Sequence, residues 1–348
     1  MTEPVTFANS GGAWKYARVP LICIGVVFAV VVGFIALVAA THGPAKSDPS
    51  NAIATAQVDG RDIAVVVYKN DTFGHLDLFR VESMGFSTQA EAFDLDTGER
   101  VWDTLLFAEF GGTAAQVLGM GSQYVYVSTA KGLVILDAAT GEIIAREGAI
   151  PGLGDDYIAS MNAYVWDVES QSVVLLSASG GVLSIPVDAV EATRAPADAA
   201  ARWVDELGTG TEPGSVFSPD AWEQTDGWVP FADGSSVFPE WAADGWSIDV
   251  LLEDGTGLAA GSAEGFAVTQ TYEPSTSDAA YLFQVGDIES GRLIGTAEGS
   301  TSASAVTISE GGHVAFLSNG DDDRALLVVA SADGIRTSVI GERGFLGW

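Results

Sequence analysis

A single cysteine, Cys23, stands in 348 residues, which excludes any disulfide within the chain. Histidine is almost as scarce. His42, His75 and His313 are the full set, and no two have the close spacing that seats a zinc ion. Basic residues number 15 against 47 acids, a formal charge of −32. Such a surface repels polyphosphates and anionic lipid headgroups, which argues against nucleic acid as a partner. The acids are expected to form a solubilising coat, with an acidic patch for a basic partner as the sharper alternative.

Of those acids only Glu3 precedes residue 48, so the negative load lies almost wholly on the C-terminal side of the chain's one long apolar run. That run, VPLICIGVVFAVVVGFIALVAA, starts at Val19 and holds no charge. As a helix rising about 1.5 Å per residue it is long enough for a bilayer core. Cys23 sits inside it as an apolar filler. Pro20, Leu21 and Ile22 precede that cysteine and the apolar core comes after it, which is the wrong order for a lipid-modified thiol. Lys15 and Arg18 lie before the run and only Lys46 soon after it, so the N-terminus is expected in the cytoplasm. The expected order is therefore a cytoplasmic tail over 1–18, a transmembrane helix over 19–41, a Pro-containing tether over 42–52 and an extracytoplasmic domain over 53–348. The localisation this order implies is the cell membrane, single-pass. A cleaved signal peptide ending at Val38-Ala39-Ala40 is the competing reading.

Within the domain two stretches share a pattern. FDLDTGERVW begins at Phe93 and LDAATGEIIA at Leu136, so Gly98 and Gly141 stand 43 apart (141 − 98). The residues around the second copy, YVYVSTAKGLVILDAATGEIIA from Tyr124, read as strand, Gly turn, strand, Gly turn and strand, a β-meander. Gly132 and Gly141 fall where tight hairpins need positive φ, and Asp137 and Thr140 are placed to bond the turn backbone. Fainter copies run over 172–188, where Gly181 is read as the turn glycine 49 after Gly132 (181 − 132), over 282–295 and over 326–340, and Gly334 stands 43 after Gly291 (334 − 291). A meander of this length cannot dry both sheet faces alone, so copies must stack, and radial stacking gives a β-propeller. The 296 residues of 53–348, at about 43 per unit, predict an all-β fold of about seven four-stranded blades, with six or eight as alternatives. A helical insertion between blades is expected over 195–207.

The strand, Gly turn, strand, Asp, Thr-Gly-Glu and apolar strand running to Trp102, clear over 90–105 and 124–145, resembles the repeats of PQQ-like (quinoprotein-type) β-propellers. The resemblance implies the fold more than an activity. A quinone-dependent dehydrogenase of that kind would use a calcium ion held by Glu, Asn and Asp, a general-base Asp and commonly a vicinal cysteine pair. With Cys23 the only thiol that pair cannot exist, so the dehydrogenase reading is remote. No catalytic or metal-binding residue is assigned and no cofactor is expected. NGDDDRA over 319–325 and DLDTGE over 94–99 read as hairpin turns, and His313 as a surface or blade-edge residue.

The segment 218–247 carries Trp222, Trp228, Trp241 and Trp246 with Phe231 and Phe238 among Gly, Asp and Pro. These rings are expected either to wedge between blades or to form a ligand platform, with Trp222, Trp228, Phe231, Trp241 and Trp246 as the candidate binding residues. The function expected is a protein-binding or scaffold module of the cell envelope whose partner is another envelope or membrane protein. A carbohydrate-binding or carbohydrate-processing propeller acting on a glycan is the alternative. Mass spectrometry of the chain purified from membranes is expected to find residues 1–41 still attached. A mature start near Thr41 would replace the anchor with a cleaved leader.

Overall fold

The computed structural model describes residues 47–71, 86–109, 114–209, 222–224, 229–230, 236–237, 256–258, 266–274, 279–287, 290, 292–320 and 324–341. Strands β1 (Ser47–Val58), β2 (Arg61–Asp71), β3 (Phe86–Asp94) and β4 (Arg100–Glu109) pair in chain order as sheet I. Sheet II is built in the same way from β5 (Ala115–Met120), β6 (Tyr124–Thr129), β7 (Gly132–Asp137) and β8 (Ile143–Arg146). Sheet III is built from β9 (Tyr164–Asp167), β10 (Ser172–Leu176), β11 (Val182–Pro186) and β12 (Thr193–Arg194). Helix α1 (Ala197–Thr209) comes next, on the stretch expected to hold an insertion. Short strands β13 (Trp222–Gln224), β14 (Val229–Pro230), β15 (Ser236–Val237) and β16 (Thr256–Leu258) lead into β17 (Phe266–Pro274), β18 (Ala279–Asp287) and β19 (Leu293–Gly299). Sheet IV has the order β13-β16-β17-β18-β19, with β14 and β15 pairing separately. Sheet V, the last among the described residues, is built from β20 (Ser304–Ile308), β21 (Val314–Asn319), β22 (Ala325–Ser331) and β23 (Gly334–Val339).

Alternation along the strands explains how these sheets stack. On β2, Ile63, Val65 and Val67 pack towards sheet II, while Ala64, Val66 and Tyr68 pack towards sheet V. On β6, Val125 and Val127 face sheet I and Tyr126 faces sheet III. On β22, Leu326, Val328 and Ala330 meet Phe266, Val268, Phe283 and Val285 of sheet IV, and Ala325, Leu327 and Val329 meet sheet I. Successive side chains leave a strand on opposite faces, so a run of consecutive apolar residues serves two neighbours. The resulting order is III–II–I–V–IV. The first strands of V, I, II and III lie beside one another along one side of that series. This is the packing of propeller blades, and the first and last sheets of the chain are neighbours in it.

The two Asp–Thr–Gly turns do what their composition predicts and then something further. Asp137 Oδ1 accepts from the Thr140 amide at 2.8 Å and from its hydroxyl at 2.9 Å, and Asp94 Oδ1 holds Thr97 the same way at 3.0 and 3.1 Å. Gly141 has φ +73° and Gly98 φ +74°, the left-handed region glycine enters without penalty. Each turn then docks on the fourth strand of the preceding sheet. Trp102 Nε1 of β4 donates to the Ala138 carbonyl at 2.9 Å, and Thr104 Oγ1 donates to that of Gly141 at 2.7 Å. A Cβ on Gly141 would stand 2.6 Å from the Trp102 ring. In the equivalent place Ser338 Oγ of β23 donates to the Gly98 carbonyl at 2.6 Å, so sheet V precedes sheet I as sheet I precedes II.

Three expectations need revision. Strand β1 begins at Ser47, so residues 47–52 of the stretch read as a tether are strand. Ser47, Asp48 and Pro49 pair with Asn70, Lys69 and Tyr68, and an irregularity between Pro49 and Ile53 accommodates the proline, which cannot donate to a ladder. The uniform 43-residue unit also fails between sheets II and III, where 3-10 turns at Glu147–Ala149, Gly154–Asp156 and Met161–Ala163 fill the connection. Among the described residues five sheets have four strands or more. Finally, the left-handed glycine in the β10–β11 turn is Gly180, φ +85°, rather than Gly181. The apolar run 19–41 lies outside the described residues, and among those described no helix is long and apolar enough to cross a membrane.

Trp102→Ala removes a buried indole and leaves the Ala138 carbonyl unpaired, and is expected to cost about 3–5 kcal/mol. Trp102→Phe keeps most of the packing and is expected to cost about half as much. Urea midpoints at unchanged slope measure both. A loss under about 1 kcal/mol for the alanine variant would show that the turn-to-strand dock does not hold sheets I and II together.

Candidate functional site: the polar joint between the first and last sheets

Sheets I and V are each made from one continuous piece of chain, so no strand is exchanged between them. Their joint depends on side chains, and it is where buried polar groups concentrate. The Asp59-Gly60 hairpin, both residues at positive φ, sets Asp62 at the start of β2. Asp62 is 3% exposed and faces the β20–β21 turn of sheet V. Ser309 Oγ donates to Asp62 Oδ2, and His313 Nδ1 lies 2.7 Å from the same oxygen. Gly311 allows that approach, since a Cβ there would lie 2.5 Å from the carboxylate. The turn is internally braced, the His313 amide donating to Ser309 Oγ at 3.0 Å and the Ser309 amide to the His313 carbonyl at 2.9 Å. On its outer side the imidazole meets a second carboxylate, with Nε2 3.3 Å from Asp96 Oδ1 in the β3–β4 turn.

Serine, histidine and aspartate therefore converge, but not as a nucleophile and its base. In a hydrolytic triad the imidazole lies between hydroxyl and carboxylate. Here the carboxylate lies between the other two, and the hydroxyl is engaged as a donor to it and as an acceptor from a backbone amide. The arrangement is a clasp between sheets.

A second polar group crosses the same joint. Glu91, fully buried midway along β3, accepts from the Tyr68 hydroxyl at 3.2 Å, from Arg100 Nη1 at 3.1 Å and from the Gly341 amide at 2.8 Å. Gly341 lies just beyond β23, so Glu91 ties the end of sheet V to the middle of sheet I. Tyr68 also reaches Gln89 Oε1 at 3.2 Å, and Gln89 Nε2 donates to Ser87 Oγ at 2.8 Å. Burial pushes the Glu91 carboxyl above its ordinary range, against the opposing pull of the Gly341 amide and the Arg100 guanidinium.

The neighbouring joints use related devices. Asp188, beyond β11, gathers the amides of Ser122 at 3.1 Å and Gln123 at 2.7 Å and the Ser122 hydroxyl at 2.8 Å, fixing sheet III to sheet II. Tyr126 donates to the carbonyls of Pro186 and Ala189 at 3.1 and 2.8 Å. Helix α1 covers the face of sheet III that points away from sheet II, packing Ala199 and Trp203 on Val165, Val174, Leu176 and Val182. Arg202 anchors it, with Nη2 2.5 Å from Asp167 and Nη1 2.5 Å from Glu169. Burial alone would raise the Asp167 carboxyl, but the guanidinium and the Ser170 hydroxyl hold it below the usual carboxylate range.

Of the five residues assigned from sequence to a binding site, Trp222 opens β13 and pairs with Leu258. Trp228, Phe231, Trp241 and Trp246 lie outside the described residues, as do His42 and His75. Among the described residues no group of three or more His, Cys, Asp or Glu could hold a metal ion. His313, read as a surface or blade-edge residue, is at a turn but only 8% exposed, because the Asp62 carboxylate draws it into the joint. Asp62, Glu91 and Asp188 escape a reading of sequence. The one signal was the Asp-Gly pair before Asp62, since QAEAF from Gln89 reads as an ordinary half-exposed strand.

No protein-family model and no curated protein matches the chain. Solved structures similar to it include Kuenenia stuttgartiensis hydrazine synthase, at 11% identity over 88% of this chain and 71% of that one, TM-score 0.23. TolB from Acinetobacter baumannii is 14% identical over 75% and 77%, TM-score 0.23. The β-propeller domain of the Trilobed protease from Pyrococcus furiosus is 7% identical over 86% and 73%, TM-score 0.21. At these values the fold rests on the strand pairing and sheet packing of the chain itself.

Glu91→Ala leaves the Gly341 amide without its buried acceptor and takes one acceptor from the Tyr68 hydroxyl, and is expected to cost about 2–4 kcal/mol, reduced at the Arg100 end because that guanidinium is 40% exposed. Glu91→Gln keeps one acceptor oxygen, enough for the Gly341 amide or for the Tyr68 and Arg100 side but not for both, and should lose about half as much. Equal losses in chemical denaturation would show that the acceptor itself is unimportant.

Proposed function

We propose that this chain is a membrane-anchored, extracytoplasmic β-propeller of the PQQ-like kind that acts by binding another protein of the cell envelope. The observation that carries this reading is the two-sided fixation of the sheets. Each of sheets V, I and II packs a neighbour on both faces, and turn-to-strand hydrogen bonds lock adjacent sheets. A partner meeting such a body encounters a preorganised surface and does not bear the cost of ordering it. The likeness to PQQ-like repeats is supported by the Asp–Thr–Gly turns of two consecutive sheets, which share both internal bonding and docking. The anchor over 19–41, an outward-facing domain and about seven blades rest on the sequence.

The acidic surface favours a partner with a basic face, and the tryptophan-rich segment over 218–247 offers it aromatic anchors. Affinity capture from detergent-solubilised membranes, with the intact chain as bait, is expected to recover a defined envelope protein. Trp228→Ala combined with Trp241→Ala should abolish that capture and leave a folded chain. Binding on a glycan array without protein capture would move the assignment to a carbohydrate-binding propeller. Protection of the domain from protease added to intact spheroplasts would overturn the outward orientation.

A further inference from the structure

We propose that the joint between sheets I and V is an acid-tightened clasp, in which an imidazolium held between Asp62 and Asp96 keeps the two sheets together and its deprotonation loosens that joint before any other. The first argument is geometric. His313 presents one ring nitrogen to a carboxylate oxygen at 2.7 Å and the other to a second carboxylate oxygen at 3.3 Å. A neutral imidazole carries no charge and a single N–H, so only the cation hydrogen-bonds Asp62 and at the same time pairs electrostatically with Asp96. If deprotonation leaves the proton on Nε2, a lone pair faces Asp62 Oδ2; if it leaves it on Nδ1, the charge that attracts both acids is still gone.

The second argument concerns what remains. Asp96 is 67% exposed and can turn into water, but Asp62 is 3% exposed and cannot. One oxygen of Asp62, Oδ1, is buried with no hydrogen-bond partner, so its negative charge depends on what surrounds Oδ2. With His313 neutral, that oxygen retains the Ser309 hydroxyl and at most one uncharged N–H. A buried carboxylate that loses its counter-charge is strongly destabilising. Because the two sheets share no strand, no backbone ladder compensates.

The groups facing His313 are Asp62 from β2, Asp96 from the β3–β4 turn and, opposing them, Arg336 from β23. The hydrogen bond to Asp62 raises the imidazolium's pKa above its ordinary value, outweighing burial, with Asp96 adding to the rise and Arg336 subtracting. A base whose folded-state pKa is raised contributes stability that is fully present below the unfolded value of about 6.5 and is lost as pH climbs through the folded value. The sign is therefore loss on alkalinisation. Glu91 crosses the same joint and is also raised, so its proton too is held more tightly in the folded chain. Its contribution falls as pH rises from about 4.5 towards its raised folded value, and comparison with His313→Gln, which keeps Glu91, tells the two groups apart.

The test uses the full chain in detergent micelles, labelled with carbon-13 and nitrogen-15 at histidine. His313, identified by the ring signal missing from His313→Gln, is expected to titrate with a midpoint above 6.5. Asp96→Asn, a change at an exposed side chain, is expected to lower that midpoint. Hydrogen exchange corrected for its intrinsic pH dependence should show protection of 63–67 and 314–317 falling by up to about tenfold per pH unit across the titration, the limit for one linked proton. Strands β6 and β7 should keep theirs. A midpoint at or below 6.5, a midpoint unmoved by Asp96→Asn, or joint protection with the same pH dependence in wild type and His313→Gln would overturn the proposal. If His313→Gln does not fold, His313→Asn supplies the assignment and the comparison.

Discussion

A β-sheet whose two faces are both apolar cannot leave either face in water, and everything else in this fold derives from that constraint. Strands such as β2, β6 and β22 carry uninterrupted runs drawn from Val, Ile, Leu, Ala and Tyr, each buried residue committed to one neighbour or the other. At roughly 25 cal/mol per Å² of apolar surface removed from water, no turn or ion pair competes with this term. It is also undirected. Burial alone would let neighbouring sheets slide, and the polar contacts between turns and strands remove that freedom by fixing where each turn sits against the next sheet.

Those contacts divide by position. Between sheets I and II, and again between V and I, a turn built on Asp, Thr and Gly offers its carbonyls to side chains of the preceding fourth strand. Between III and II a single carboxylate, Asp188, collects amides. Among the described residues, the joint between V and I is the one between sheets that adds deeply buried carboxylates and a histidine. Elsewhere consecutive sheets are also linked by the chain, whereas these two come from opposite ends of it. Buried charge is an expensive form of adhesion, but it is specific in register. Arg202 on α1 plays a similar part at a more exposed site, placing the helix on a sheet face that would otherwise need a neighbour.

Sequence exposed the repeating unit because its markers are local. Gly141 needs its left-handed backbone whatever surrounds it, and Asp137 bonds residues two and three positions on, so both leave a trace in the string of letters. The helix after residue 195 was equally legible from its alanines and its polar-apolar period. Glu91 was not, because its significance depends on Gly341 some 250 residues away, and an acid between two alanines reads as solvent-facing. His313 and Asp62 are as distant from each other, and neither residue type at its own place distinguishes a clasp from a surface turn. The start of β1 was hidden by Pro49, which argues for a linker unless the strand it interrupts has an irregularity to receive it.

Sheets I and V also bring Ser47 against Gly341, close enough that a side chain on that glycine would collide with the serine hydroxyl. The described sheets are thus entered and left at one spot. A short loop bridging the two would make the polypeptide circular in all but name, and new ends could then be cut at another hairpin with every sheet intact. The place where the series of sheets begins is, to that extent, a property of the gene rather than of the folded body.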